Sequence, residues 1–245
     1  MNLVIDIGNT RTKVVLFDQQ NVHQTTYFNN YQELLHHPSL FLKATHCIIG
    51  SVVSHADELY QVIKTHIPAT ICFNADTKTP LTNLYQSATT LGSDRLAASV
   101  GAYGLYPNAN VLVIDAGTCI KYNFTTAQNQ YLGGAISPGI QMKLKALAQH
   151  TSKLPLVSPD FSFHQLIGNN TQNSILSGVL MGSVAEIDGM INLYKAQYPD
   201  VICVLTGGDS EYLAKQLKNR IFVRQNLVAK GLNDILNYTL EHSKG

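Results

Sequence analysis

A short sequence near the N-terminus returns in the middle of the chain, and this repeat constrains the fold more than any other feature. Residues 3–9 read LVIDIGN, and residues 112–118, 109 positions later, read LVIDAGT. In each copy an apolar run of strand type reaches Asp-x-Gly, and a second such run follows at once, over residues 12–17 and 119–124. Each copy therefore predicts a β-hairpin with an aspartate at its bend, and the chain is predicted to consist of two related halves.

The order of the later elements supports the same duplication. Each half is predicted to continue with a third strand, a further strand and an amphipathic helix. These elements are expected over residues 22–28, 46–50 and 56–66 in the first half and 130–135, 202–208 and 211–217 in the second. Alternating strands and helices favour α/β layers with right-handed crossovers. Because Tyr106-Pro107-Asn108 must end a helix, we predict halves of residues 1–107 and 108–245. Two such halves can close around a ligand, so the cleft between them is the expected active site.

Composition excludes several classes of protein. Seventeen basic and 16 acidic residues leave no excess positive charge, and no Lys/Arg-rich run is present, so we do not expect a nucleic-acid partner. The N-terminus lacks the basic and apolar regions of a signal peptide, and no run approaches 18 apolar residues, so no membrane span is expected. The four cysteines form no CxxC pair and the nine histidines have no metal-site spacing, which favours a reducing cytoplasm and no zinc site.

The two Asp-x-Gly turns carry the residue types that phosphate transfer needs. Residues 6–13 (DIGNTRTK) combine a carboxylate, a glycine that permits close backbone approach, polar donors and a lysine. Asp6 is suited to Mg²⁺, directly or through water, and Lys13 to charge on a transferring phosphoryl group. A P-loop is excluded because GxxxxGK[ST] is absent. In the second half Asp115 can bind a cation, and Thr206–Asp209 (TGGD) suits backbone contact with a nucleotide. The alternative is that both segments are ordinary tight turns.

Six motifs together resemble one family. DIGNTRTK, LGSDR, DAGT, GGAISPG, NNTQNSILSG and LTGGD occur in this order over nearly the whole chain, as in type III pantothenate kinases of the actin-like and sugar-kinase-like ATPase superfamily. The resemblance implies duplicated ribonuclease-H-like domains, each with a mixed central sheet flanked by helices. It also implies ATP-dependent phosphorylation of pantothenate to 4′-phosphopantothenate, the first step of coenzyme A synthesis. The enzyme would be a cytoplasmic homodimer that requires Mg²⁺ and a monovalent cation, K⁺ or NH₄⁺.

The resemblance also implies roles for individual residues. The ATP-binding residues would be Asp6, Ile7, Gly8, Asn9, Thr10, Arg11, Thr12, Lys13 and Thr118. The pantothenate-binding residues would be Tyr85, Gly92, Ser93, Asp94, Arg95 and Thr171, with Asp94 as the proton acceptor. Asp115 would bind the monovalent cation, and Asp6 would bind Mg²⁺.

The residue pattern around LGSDR agrees with these roles. Ser93 is predicted to be the N-cap of a helix, which places Asp94 in the first turn. Arg95 could clamp the pantothenate carboxylate with two parallel hydrogen bonds. The alternative is that Asp94 only caps the helix and that Arg95 pairs with it. Without the resemblance, Tyr85 would be predicted to pack in the core. Thr171 would be predicted to be another N-cap.

A second helix carries a predicted interface. Its apolar stripe is interrupted by Gly178 and Gly182 and consists of Leu176, Leu180, Val184, Ile187, Ile191 and Tyr194. Close helix packing would explain the two glycines, either across a homodimer interface, as the resemblance implies, or at a helix crossing within the subunit.

The chain departs from the family pattern in one segment. The second phosphate segment of the family usually reads Asp-x-Gly-Thr-Ala-x-Thr-x-Asp, whereas this chain has Cys119, Lys121 and Asn123. If Lys121 points towards Asp115, it could reduce or replace the monovalent-cation requirement. If it points outward, nothing changes, and the sequence leaves both orientations open.

Three other functions remain open at this level. A non-catalytic regulator of the same family would be expected to lack active-site residues, which are present here. An actin-like ATPase or chaperone would leave LGSDR without a role. A kinase for another small hydroxyl compound remains open because fold does not fix substrate.

Overall fold

The computed structural model describes residues 1–51 and 57–242 and shows a mixed α/β protein. Its strands are β1 (Asn2–Ile7), β2 (Thr12–Asp18), β3 (Asn21–Phe28), β4 (His46–Ser51), β5 (Ala69–Cys72), β6 (Thr82–Asn83), β7 (Val111–Ala116), β8 (Cys119–Thr125), β9 (Gln130–Pro138), β10 (Ile202–Thr206) and β11 (Phe222–Val223). Its helices are α1 (Tyr31–Leu35), α2 (Asp57–His66), α3 (Ser93–Leu105), α4 (Ile140–Gln149), α5 (Thr171–Gln197), α6 (Ser210–Gln216) and α7 (Leu227–His242). Short 3₁₀ turns lie at Pro38–Lys43 and Ala88–Thr90.

The two sheets repeat one strand order. The first sheet runs β3-β2-β1-β4-β5, and the second runs β9-β8-β7-β10-β11 with the short β6 added beside β9. In the first sheet β1 pairs antiparallel with β2 and parallel with β4, and in the second β7 pairs parallel with β10. The predicted duplication and fold class are therefore confirmed. The predicted helix at residues 56–66 forms over 57–66, and its first residue lies outside the described part of the chain.

Contacts group the chain into two units. The first unit comprises Met1–Ala109, Asn123–Gly133 and Asn226–Gly245, and the second comprises Asn110–Tyr122 and Gly134–Gln225. Helix α7 belongs to the first unit because it packs on α3, β1 and β4. Division of the chain into residues 1–107 and 108–245 remains a prediction. Helix α3 ends at Leu105, as the Tyr106-Pro107 sequence predicts.

Helices α3 and α7 approach each other more closely than any residue except glycine allows. A Cβ atom on Gly101 would lie 2.5 Å from the Leu227 carbonyl oxygen, and one on Gly231 would lie 1.7 Å from the Ala97 carbonyl oxygen. Both neighbours are backbone atoms, which cannot move aside as a flexible side chain can. The two helices thus make backbone contact at this crossing.

Helix α5 buries the predicted stripe on one side only. Leu176, Leu180, Ile187 and Ile191 are buried, whereas Val184 and Tyr194 are half-buried. Gly178 and Gly182 are exposed, and no atom of the described residues lies within 4 Å of a Cβ built on either one. The helix crossing within the subunit, one of the two alternatives, is therefore absent at these glycines.

By length and composition α5 could cross a membrane, contrary to our reading of the sequence. It has 27 residues, and 44% of its most apolar 18-residue window is buried. The core helix of a globular protein passes the same test, so this property alone is weak support for a membrane span.

We expect Gly231→Ala to destabilise the protein, because the added methyl group would force α3 and α7 apart. Overpacking of this kind costs about 1–3 kcal/mol. Thermal unfolding followed by circular dichroism measures the loss. The control is Gln61→Ala at an exposed position in α2, where the side chain is shortened and no helix contact gains a methyl group. Alanine is at least as good a helix former as glutamine, so the control should be neutral or slightly stabilising. Equal melting temperatures for the two variants would contradict the close contact.

Candidate active site

The first Asp-x-Gly turn exposes only part of the predicted ATP-binding segment. Asp6 and Lys13 face each other across β1 and β2, and the Gly8 amide donates to the Arg11 carbonyl at 3.2 Å. Ile7 and Thr12 are buried, so only their backbone is available to a ligand. The exposed or half-buried members of the segment are Asp6, Gly8, Asn9, Thr10, Arg11 and Lys13.

Two neighbours orient the lysine of this turn. The Lys13 ammonium donates a hydrogen bond to Asn226 Oδ1 and lies 5.5 Å from the centre of the Tyr27 ring, over which Arg11 also stacks at 4.5 Å. Asn226 adopts φ 61° and immediately precedes α7. Sequence reasoning missed Asn226 because it lies 213 positions from Lys13.

The LGSDR segment begins a helix one residue earlier than predicted. The N-cap of α3 is Gly92, which has no side chain to cap the helix, and Ser93 is the first helical residue. The Ser93 hydroxyl instead donates to the Ser51 carbonyl at 2.9 Å. Because Ser51 pairs with Ile7 in the β1–β4 ladder, this bond brings Gly92–Arg95 to the same end of the sheet as the Asp6 turn. Asp94 lies in the first turn of α3 and is half-buried.

Arg95 is a buried cation held by neutral groups. Its side chain is 5% exposed, and Nε donates to Asn123 Oδ1 at 2.8 Å, which also accepts from the Tyr131 hydroxyl at 3.1 Å. Its guanidinium lies 5.4 Å from the centre of the Tyr85 ring. Among the side chains of residues 1–51 and 58–242, no carboxylate forms an ion pair with Arg95, so the alternative of an Asp94–Arg95 ion pair is wrong.

Two buried donors in this cluster have no acceptor in the described structure. They are Arg95 Nη2 and Asn123 Nδ2. Buried donors are nearly always paired, so a cluster with two unpaired ones is suited to an incoming oxygen acceptor. Asn123, like Asn226, was not among the predicted site residues, although its substitution for the aspartate of the family pattern was a visible signal.

Tyr85 depends on a glycine of the GGAISPG motif. Gly133 has φ 105°, and a Cβ built on it would lie 2.7 Å from the Tyr85 ring. The ring therefore lies directly against the backbone of β9, and Tyr85 is half-buried beside Arg95. This places Tyr85 with the predicted substrate residues Gly92–Arg95 within the first unit.

In the second unit, two other motifs contact the Asp115-Ala116-Gly117-Thr118 turn. The Gly139 amide, in GGAISPG, donates to the Thr118 carbonyl at 3.1 Å, and the Asp209 amide, in LTGGD, donates to the Ala116 carbonyl at 3.0 Å. Gly207, at φ 96°, would place a Cβ 2.2 Å from the Ala116 carbonyl oxygen. Three glycine-containing motifs therefore meet at this turn, where Thr118 and Gly208 are exposed.

The orientation of Lys121 is resolved by the structure. Lys121 Nζ lies 2.7 Å from Asp115 Oδ2, and the two side chains are 19% and 13% exposed. Lys121 therefore points towards the predicted cation ligand.

Thr171 begins α5 but does not cap it. The N-cap is Asn170, whose side chain accepts from the Asn173 amide at 2.9 Å, so the reading of Thr171 as an N-cap is wrong. Thr171 is the first helical residue and is exposed. It lies in the second unit with Asp115 and Thr118, whereas the other predicted site residues lie in the first.

The second unit also contains a polar cluster that sequence reasoning missed. Glu186 on α5 accepts from Lys143 Nζ at 2.7 Å, from the Tyr122 hydroxyl at 3.2 Å and from the Ser137 hydroxyl. Although burial alone would raise the pKa of Glu186, the hydrogen bonds from Lys143 and Ser137 hold it below its ordinary value. The cluster ties α4, α5, β8 and β9 together.

The chain matches the family model of type III pantothenate kinases over residues 2–193. Among its relatives is the type III pantothenate kinase of Bacteroides fragilis strain YCH46, which is 42% identical over 97% of this chain and 98% of its own length. That of Flavobacterium johnsoniae is 36% identical over 99% of this chain and 100% of its own length.

Solved structures show the same fold at lower identity. A Campylobacter jejuni protein described as a Baf family transcriptional activator has a TM-score of 0.64 and 21% identity, covering 98% of this chain and 99% of its own. A Listeria monocytogenes protein described as an N-acetylmannosamine kinase has a TM-score of 0.57 and 12% identity, covering 99% of both chains. These likenesses identify the sugar-kinase-like fold.

We expect Asp209→Asn to stabilise the protein near neutral pH. Burial raises the pKa of Asp209 from 3.8 to about 6, so the folded state favours the protonated carboxyl. The stability that this group contributes is therefore fully present below pH 3.8 and is lost as pH rises through about 6. Melting temperatures should be higher for Asp209→Asn above about pH 6 and should converge with those of the unaltered protein towards about pH 4.

The matched control is Asp188→Asn, which should have the opposite effect. Although burial alone would raise it, the pKa of Asp188 is lowered by hydrogen bonds from Asn219 and the Lys218 backbone. The Asp188 carboxylate therefore stabilises the folded protein fully above the pKa that it has in the unfolded state. This stabilisation is lost as pH falls through its lower pKa in the folded state. A melting temperature for Asp209→Asn that shows no pH-dependent difference from the unaltered protein would contradict the raised pKa.

Proposed function

The chain belongs to the type III pantothenate kinase family, and we propose that it transfers the γ-phosphoryl group of ATP to the 4′-hydroxyl of pantothenate, the first step of coenzyme A synthesis. The observation that carries this proposal is the buried guanidinium of Arg95 without a carboxylate partner in the described structure. A buried charge is costly unless it is paired, so this site favours an anionic ligand. Pantothenate carries a carboxylate at one end and the reacting hydroxyl at the other.

The residues around Arg95 are arranged to hold a carboxylate in one orientation. Asn123 fixes Nε and Tyr85 lies against the guanidinium, which leaves Nη2 for the ligand. An oriented guanidinium with one edge unused is suited to a planar anion. We propose Tyr85, Gly92, Ser93, Arg95 and Thr171 as pantothenate-binding residues, and Arg95 as the partner of the carboxylate.

We propose Asp94 as the proton acceptor. It neighbours Arg95 and lies in the first turn of α3, whose start is fixed to β4 by Ser93. A carboxylate so placed can orient the attacking hydroxyl and accept its proton late in transfer, when a loose transition state has already formed.

The ATP-binding residues are proposed to come from both Asp-x-Gly turns. In the first turn, Gly8 and the neighbouring residues offer backbone and polar hydrogen-bond donors. Lys13, which donates a hydrogen bond to Asn226, would contact the phosphates of ATP through its ammonium group. In the second turn Thr118 offers an exposed hydroxyl. The other proposed members are Asp6, Ile7, Asn9, Thr10, Arg11 and Thr12, with Ile7 and Thr12 acting through their backbone.

The donor set of the first turn fits Mg²⁺ that arrives with ATP. Kinases of this kind use Mg²⁺ with ATP, and such an ion needs only one or two protein carboxylates because water and phosphates supply the rest. The described residues contain no group of three or more His, Cys, Asp or Glu side chains that could form a dedicated metal site. We propose Asp6 as the protein ligand, directly or through water. When bound, the ion neutralises charge on the phosphates.

We propose that the enzyme is a homodimer formed through the exposed face of α5. Gly178 and Gly182 lie one turn apart on that face with open space above them, so another helix could approach closely. The same helix is apolar yet only 44% buried over its most apolar window. A symmetric contact between two copies would bury this surface, which also supports a cytoplasmic protein without a membrane partner.

We expect Asp94→Asn to lower kcat by at least about a hundredfold, within the range for loss of a general base. ADP release from Mg-ATP, with and without pantothenate, measures the effect. The companion variant Arg95→Lys should act differently, raising KM for pantothenate more than it lowers kcat, because a single ammonium cannot replace the oriented guanidinium.

Other outcomes would identify the alternatives. Turnover that is indifferent to pantothenate would indicate another hydroxyl acceptor or a bare ATPase. Absence of turnover in the unaltered protein would favour a non-catalytic regulator.

We expect Gly182→Leu to convert the dimer to a monomer, because the larger side chain would block close approach of two α5 helices. Sedimentation equilibrium measures the mass, which should fall from twice the chain mass of 26.9 kDa to that value. Gln61→Leu, at an exposed position in α2, is the control and should leave the mass unchanged. A monomeric unaltered protein would contradict the proposed dimer.

A further inference from the structure

Asp115 is a largely buried carboxylate whose charge the chain itself balances. The residue is 9% exposed and ends β7 at the second Asp-x-Gly turn. A carboxylate so far removed from water needs a nearby positive charge. Lys121 supplies it from the next strand, β8, with its ammonium 2.7 Å from Asp115 Oδ2.

A free monovalent cation does not fit beside this ion pair. The family resemblance implies K⁺ or NH₄⁺ at Asp115, but one carboxylate oxygen already contacts the Lys121 ammonium. A second cation at the same carboxylate would lie close to that ammonium and be repelled by it. The tethered ammonium also needs no recruitment from solution, because six residues of chain hold it beside its partner.

We infer that Lys121 is a built-in replacement for the monovalent cation at Asp115, so that phosphoryl transfer by this chain requires neither K⁺ nor NH₄⁺. This inference rests on the proposed kinase function. The ammonium balances the Asp115 carboxylate beside the turn that carries Thr118. That turn also receives the amide hydrogen bonds from Gly139 and Asp209, so the balanced carboxylate lies where three motifs meet.

The alternative is that Lys121 forms only a structural ion pair within its hairpin. A second partly buried ion pair in the same unit serves as a control. It allows a structural role of Lys121 to be distinguished from replacement of the cation. Lys143 lies 2.7 Å from Glu186, with side chains 21% and 28% exposed, and closely matches the Lys121–Asp115 pair in length and burial. Loss of either pair should lower stability, but only loss of Lys121 should create a need for an added cation.

The experiment compares the unaltered protein with Lys121→Thr, Lys121→Arg and the control Lys143→Thr. Pantothenate-dependent ADP release is measured at constant ionic strength in potassium, ammonium or tetramethylammonium chloride. We expect the unaltered protein to vary by less than about twofold among the salts. In tetramethylammonium chloride, the activity of Lys121→Thr should be at least about tenfold lower than that of the unaltered protein. Loss of one electrostatic contact in an active site commonly lowers kcat by more than this. Potassium or ammonium should restore its activity, and Lys121→Arg should stay independent of the salt.

Thermal unfolding without substrates gives a second readout. Potassium should raise the melting temperature of Lys121→Thr relative to tetramethylammonium, and should not do so for the unaltered protein or for Lys143→Thr. If Lys121→Thr does not fold, Lys121→Met takes its place in both measurements. The salt dependence of the unaltered protein's activity tests the inference in either case.

Two results would overturn the inference. One is activation of the unaltered protein by potassium of about tenfold or more, and the other is salt-independent activity of Lys121→Thr equal to that of the unaltered protein. Either result would leave the kinase function standing, since that function is judged by pantothenate dependence and by Asp94→Asn in potassium buffer.

Discussion

The backbone contact between α3 and α7 determines where the functional groups of the first unit lie. Helix α3 begins with Ser93, Asp94 and Arg95, and α7 follows directly after Asn226, which binds Lys13. Because Gly101 and Gly231 allow the two helices to touch, the proposed substrate turn at Ser93–Arg95 and the Asn226 partner of Lys13 are fixed relative to each other. A looser helix pair would leave the positions of both groups undefined, and catalysis by positioning depends on that definition.

Desolvation acts differently on three charged groups of the protein. Arg95 is buried and, among the side chains that the structure describes, forms no ion pair, which suits it to an anionic ligand. Asp115 is buried with a tethered ammonium, so its charge is balanced before any ligand arrives. Asp209 is partly buried at the turn that contacts Ala116, and burial raises its pKa to about 6. Buried charges of this kind concentrate at functional sites. They lower the stability of the folded state, and elsewhere in a protein an uncharged residue can take their place.

The sequence predicted those features that depend on neighbouring residues. The two hairpins, their strands and the helix end at Tyr106 follow from alternation, from Asp-x-Gly and from proline, all of which act locally. The helix starts at Ser93 and Thr171 were each displaced by one residue, because the residue before each of them, Gly92 or Asn170, is also of a type that occurs as an N-cap. Asn226 could not be linked to Lys13, because their contact joins distant parts of the chain and has no local pattern. The sequence could not predict the orientation of Lys121 for a different reason. It depends on whether the Lys121 side chain, on β8, lies on the same face of the sheet as the Asp115 side chain, on β7.

Both copies of the hairpin carry a lysine on the second strand, at positions that do not correspond in the 109-residue repeat, and the two lysines have different partners. In both, a lysine follows the Asp-x-Gly turn on the second strand: Lys13 after Asp6, and Lys121 after Asp115. In the first copy the lysine is directed to Asn226, a neutral acceptor, which preserves its positive charge for a phosphate. In the second copy the lysine is directed to the aspartate itself, and the two charges cancel. The first turn therefore keeps a positive charge that can attract an anion, whereas the charges of the second turn balance each other.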